Sequence, residues 1–107
     1  MTTKVLIWLA SGDRSKLMPG IAWGLNAQRR GWVDEVRLIV FGDSERTVME
    51  DEELFTMVQA VQGTQFCRFV AEKENSVEQL EEMGADVAYV GEPIAEAIRE
   101  GFIVLTF

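Results

Sequence analysis

The chain has 107 residues, 48% hydrophobic and 26% charged, with a formal net charge of −8, one cysteine and no histidine. Such a length holds one compact core, burying roughly 65% of the unfolded surface, and eighteen acidic against ten basic residues argue against nucleic acid, which needs a Lys/Arg patch. Without histidine there is no imidazole base, no Ser-His or Cys-His dyad and no histidine metal ligand, while a lone thiol cannot form an internal disulfide.

In chain order, Lys4–Ala10 is a continuous apolar run ended by Ser11-Gly12-Asp13 and reads as a strand buried on both faces. Leu17, Ile21, Ala22 and Leu25 recur at helical spacing and predict a helix from about Lys16 to Arg30, with Pro19 in its first turn and Gly31 as its stop. Glu35–Phe41 is the second strand and Gly42-Asp43-Ser44 the turn after it. A helix from Glu50 to about Gln62 carries Leu54, Val58 and Val61 on one face.

The third strand lies within Thr64–Ala71, followed by a short helix that Asn75 or Ser76 caps and Gly84 ends. Asp86–Val90 is the fourth strand, Pro93 opens a helix ending near Glu100, and Phe102–Phe107 is the fifth strand. The acidic runs Glu45–Glu53 and Glu72–Glu82 read as solvated helix starts and faces.

Strict β-α alternation with apolar strands predicts one α/β domain over residues 1–107. It is a flavodoxin-like three-layer sandwich with a five-stranded parallel sheet. Right-handed crossovers leave few topologies, and the order 2-1-3-4-5 is the expectation. Its ligand crevice would lie beyond the carboxyl ends of the first and third strands. Ser11–Lys16, Gly42–Ser44, the segment after the third strand and Gly91-Glu92 would then share one mouth.

Motif spacing removes several functions of this architecture. Gly12–Gly20 lacks the G-x-x-x-x-G-K-[ST] phosphate loop, and no G-x-G-x-x-G follows the first strand. The acidic pair and strand-end aspartate of a phosphoacceptor receiver are missing, and one thiol cannot make a C-x-x-C pair. No loop has calcium-site spacing, so no metal is expected. No apolar run reaches the ~18 residues of a membrane span. Without a leader pattern, and with one unpaired cysteine, the expected location is the cytoplasm.

The strand Lys4–Gly12 with its Ser-Gly ending, the Glu35–Asp43 strand ending Phe-Gly-Asp, Gly91-Glu-Pro-Ile-Ala-Glu-Ala-Ile98 and the closing Gly101–Phe107 together resemble the DsrE/DsrF-like sulfur-relay family. The resemblance covers nearly all of residues 4–107. It implies a flavodoxin-like sheet, a homo-oligomer (trimer or hexamer), no cofactor, and sulfur-donor and sulfur-acceptor partner proteins. It also implies a cysteine at the end of the third strand that carries a persulfide, which makes Cys67 the candidate catalytic residue for sulfur transfer.

The residues themselves leave two readings of Cys67 open. A strand running on to Ala71 makes it a small apolar residue buried mid-strand, in a non-catalytic binding or assembly subunit. A strand ending nearer the thiol brings it to a mouth, where Arg68 could favour the thiolate. Ser11, Gly12, Asp13, Arg14 and Arg68 are the candidate ligand-binding residues, set against the alternative of a solvated loop at a helix start. Trp23, Trp32, Met18 and Met57 are candidates for a subunit interface, with core burial equally open for Trp23.

Overall fold

The computed structural model describes residues 2–107. It is a three-layer α/β sandwich around one five-stranded, all-parallel sheet. The elements run β1 (Lys4–Leu9), α1 (Arg14–Arg30), β2 (Glu35–Val40), α2 (Ser44–Met49), α3 (Glu52–Ala60), β3 (Gln65–Cys67), α4 (Arg68–Lys73), α5 (Val77–Glu82), β4 (Val87–Ala88), α6 (Gly91–Arg99) and β5 (Ile103–Thr106).

The architecture agrees with the sequence, but the strand order does not. The sheet runs β4-β3-β2-β1-β5, not 2-1-3-4-5. From β1 the chain steps to β2, β3 and β4 in one direction, and only the last crossover returns to the far side of β1. Right-handed crossovers of one sense stack their helices on one face, and the return crossover places its helix on the other. The two apolar clusters follow that rule. One gathers Leu17 and Ile21 of α1, Val48 of α2, Leu54 and Val58 of α3 and Leu80 of α5 against Val5, Ile7 and Leu9. The other gathers Ile94 and Ala97 of α6 with Phe102 against Leu6, Ile39 and Cys67. One sheet face therefore lies under several helices and the opposite face chiefly under α6.

Local chemistry sets the boundaries. Asp13 caps α1, its Oδ1 accepting from the Ser15 amide at 2.9 Å, so the helix begins two residues before the expected Lys16. Pro19 sits inside that helix, beyond its first turn, where its missing N–H leaves the Ser15 carbonyl without an i→i−4 donor. Gly31, at φ 65°, ends α1 with Trp32 N–H donating to the Ala27 carbonyl at 3.0 Å, the paired closure that a left-handed glycine permits. The expected helix from Glu50 is α3, and a further helix, α2, lies before it where no helix was expected. Asp51 separates the two with extended backbone and caps α3 through the Leu54 amide (3.0 Å), leaving α2 as a turn and a half directly after β2. Ser44 anchors α2 by donating to the Leu9 carbonyl (2.8 Å) and accepting from the Phe41 amide (3.1 Å).

β3 is the main departure. The expected stretch Thr64–Ala71 yields only three strand residues, because the neighbouring β4 offers only Val87 and Ala88 for pairing. At Arg68 the chain turns helical, driven by the burial of Ala71 at i+4 from Cys67 and by an Arg68–Glu72 ion pair (3.5 Å) along one turn. Trp23 packs partly buried against the larger apolar cluster, while Trp32 stays exposed at a ring-centroid distance of 6.5 Å from it.

Candidate functional site

The short β3 places Cys67 as the last extended residue before α4, at the carboxyl end of the sheet (φ −68°, ψ 117°). Side chains alternate along a strand, so Phe66 enters the larger apolar cluster and Cys67 the smaller one under α6. There the thiol is 3% exposed and lines an apolar cleft of about 350 Å³ together with Trp8, Phe41, Phe69, Tyr89 and Ile94. Trp8 and Phe41 meet edge to face at 5.3 Å in its lining. Phe69 and Tyr89, 56% and 60% exposed, stand at the rim.

That rim is polar on its outer side. The Tyr89 hydroxyl donates to Glu72 at 2.9 Å, and the same carboxylate faces Arg68. The Glu72 hydrogen bond holds the phenolic proton and raises the tyrosine above its ordinary range, against a smaller opposing effect of Arg68. Lys73 lies over the Phe69 ring, 4.9 Å from its centroid.

Near the Cys67 backbone, at the start of α2, sits a group that its sequence context hides. Pairing of β2 with β3 stops at Val40↔Phe66, and Glu45, in the first turn of α2, lies near the Cys67 backbone N–H that follows. Glu45 is 1% exposed, and neither carboxyl oxygen makes a hydrogen bond of good geometry among the described residues, the nearby Cys67 N–H included. Burial pushes its pKa up to about 8, the nearby Glu74 adds to the rise, and the Cys67 N–H opposes both. An oxygen of Glu74, at the end of α4, is also buried without a hydrogen bond and lies 3.8 Å from Arg46. The reading of Glu45–Glu53 as a solvated run is thus corrected at its first member. The available signal was position: in the first turn after a buried strand, Glu45 lies three residues before buried Val48 and faces the sheet.

The other candidate residues are gathered elsewhere. Ser11 accepts from the Asp13 amide at 3.0 Å. Asp13 also accepts from the Ser15 hydroxyl at 2.7 Å, and the Ser15 side-chain and backbone bonds hold its carboxyl below the usual range. Arg14 donates to Asp51 (2.6 Å) and to Glu53, which raises its already high pKa. The Gly12 carbonyl accepts from Thr47 at 2.7 Å. The Ala10 and Ser11 amides donate to the Phe107 carbonyl at 2.6 and 3.1 Å. Ser11–Arg14 therefore knit β1, α1, α2 and α3 together and do not line the Cys67 cleft; of the basic candidates, Arg68 alone stands at its rim.

Among the described residues, no group of three or more His, Cys, Asp and Glu side chains is placed to hold a metal ion. No helix there is long and apolar enough to cross a membrane.

No protein-family model matches the chain, and no curated protein matches it. Among solved structures it is similar to a conserved protein of unknown function from Bacteroides thetaiotaomicron, at 23% identity and a TM-score of 0.82 over 97% of this chain and 94% of that one. At that identity the likeness carries the fold and nothing finer.

Proposed function

We propose that the protein is a small cytoplasmic sulfur-relay protein of the DsrE/DsrF-like type that carries a persulfide on Cys67 as part of a homo-oligomer. The observation that supports this reading is the place of the thiol. Cys67 ends β3 at the carboxyl edge of the sheet, where open α/β sheets bind ligands, and it lines a cleft instead of lying mid-strand.

The chemistry needs no cofactor. The Cys67 thiolate attacks the outer sulfur of a donor persulfide, the donor S–S bond breaks, and the donor leaves as a thiolate. An acceptor thiolate then attacks that outer sulfur, and Cys67 leaves in turn. Both steps are exchanges with no net oxidation. An apolar cleft suits them because it keeps water from the reactive S–S bond.

One observation favours the rival reading of a non-catalytic assembly subunit, namely the 3% exposure of Cys67. Incubation of the native protein with a persulfide donor separates the two. The carrier gains one sulfur atom by mass spectrometry, and Cys67→Ser abolishes the gain. A native protein that takes up no sulfur while its unfolded chain does so readily overturns the carrier reading.

A further inference from the structure

We infer that the outer edge of β5 is a contact surface for a second copy of this chain. Two β5 strands pair antiparallel about a two-fold axis, and the sheet runs on from one subunit into the other. The inference names a contact for the homo-oligomer proposed above, and its geometry owes nothing to the sulfur chemistry.

The two edges of the sheet are finished differently. The β4 edge is two residues long, Val87–Ala88, with the exposed Asp86 immediately before it. Short edge strands and charged neighbours discourage pairing with other chains. β5 has neither device. It is Ile-Val-Leu-Thr, and Gly101–Phe107 holds no charged side chain and no proline. Ile103 is 55% exposed and Val104 36%. Successive side chains point to opposite faces, so neither face of the sheet is closed over β5 at that point. An exposed apolar edge strand is a template for another strand.

The hydrogen bonds decide which backbone groups remain for a partner. Phe107 turns both of its own inward: its N–H donates to the Trp8 carbonyl (2.9 Å), and its carbonyl accepts from the Ala10 amide (2.6 Å). The direction of these groups alternates along a strand. Leu105 and Ile103 therefore also face β1, while Val104 and Thr106 turn their N–H and C=O outward. An antiparallel register that sets Val104 against the partner's Thr106 lets each such pair exchange both hydrogen bonds. Leu105 then meets its own counterpart at the dyad.

That register also brings complementary surfaces together. It carries the exposed Ile103 across to the partner's Phe107. Beside Phe107 lies an open cleft of about 570 Å³ lined by Ala10, Pro19, Thr106 and Lys16. The apolar walls suit the isoleucine, and Lys16 offers positive charge to an approaching chain of net charge −8.

Light scattering at micromolar concentration should return an even multiple of the 12.1 kDa chain. Val104→Pro removes an outward N–H and spares the bonds to β1, a change that edge strands tolerate; it should halve the mass of the assembly. Two cysteine variants, each in a Cys67→Ala background, test the register whether or not the proline is tolerated. Oxidised Leu105→Cys should crosslink into dimers, whereas Thr106→Cys, which faces Val104 across the dyad, should not. A monomer, an odd-numbered assembly or a folded Val104→Pro of unchanged mass overturns the inference. So does a Leu105→Cys that fails to crosslink, or a Thr106→Cys that crosslinks equally. Sulfur loading is read apart. A chain that crosslinks through Leu105→Cys, and whose wild type takes up no sulfur, loses the carrier reading alone; a trimer that loads with sulfur loses the β5 contact alone.

Discussion

The two corners at the carboxyl edge of the sheet are built on opposite terms. At the end of β1, polar side chains are many and satisfied: Ser11, Asp13, Arg14 and Thr47 spend their hydrogen bonds on one another's loops and helix starts. At the end of β3, polar side chains are few and the central ones unsatisfied, with a thiol against aromatic rings and a bare carboxyl near its backbone. The first corner is assembled for rigidity. The second holds a cost that a fold does not otherwise keep, since an unpaired buried carboxyl is expensive. Density of charged residues in the sequence pointed to the first corner, and satisfaction of hydrogen bonds points to the second.

The sharpest way to break this contrast is Glu45→Gln followed over pH. The folded carboxyl titrates near 8 against an ordinary 4.5, so between those values the native state holds a proton that the unfolded chain has lost. The resulting stability is complete below about 4.5 and drains away as pH rises to about 8, on the order of 4–5 kcal/mol in all. Urea denaturation should show Glu45→Gln gaining on wild type by that order as pH rises across the window. A difference that stays constant with pH would place Glu45 in water and erase the contrast.

A smaller effect is expected at the thiol. Cys67→Ser buries a hydroxyl among apolar neighbours and should cost roughly 1–3 kcal/mol, whereas Cys67→Ala should cost less, because it strands no polar atom. Equal costs would mean that the serine finds a partner and that the cleft is wetter than its lining implies.

The smallest effect belongs to the other corner. Arg14→Ala removes an exposed ion pair with Asp51 and Glu53, and such pairs contribute little. Stability should barely move, and the alkylation rate of Cys67 should not change. A changed rate would join the two corners into one mouth.

The alternation of strands and helices was readable because apolar runs and glycine stops mark it without tertiary help. The strand order was not. Orders 2-1-3-4-5 and 4-3-2-1-5 use the same right-handed crossovers and differ only in which side of β1 the later strands take. Arg37 in β2 hinted at a thinly covered face, where it now lies over the Phe102 ring at 4.4 Å, but an edge strand would tolerate it equally. Cys67 was legible as the pivotal residue, and its depth was not. The end of β3 depends on how little β4 offers for pairing, and Val87–Ala88 reads as part of a longer apolar run. Glu45 was invisible for a plainer reason: amid Glu50, Glu52 and Glu53, one buried acid looks like its solvated neighbours.

The return crossover also fixes an order of events. Val5 pairs with Val36 and with Ile103, partners about thirty and about a hundred residues away along the chain. Closing the longer loop pays more entropy before any contact repays it. The helix that shelters Leu6, Ile39 and Cys67 belongs to that same late segment, and no earlier helix covers that side of the sheet to the same extent. A nascent or partly folded chain that has assembled β1 to β4 would carry an apolar sheet face with its thiol uncovered, and only the arrival of α6 and β5 would turn that surface into a cleft.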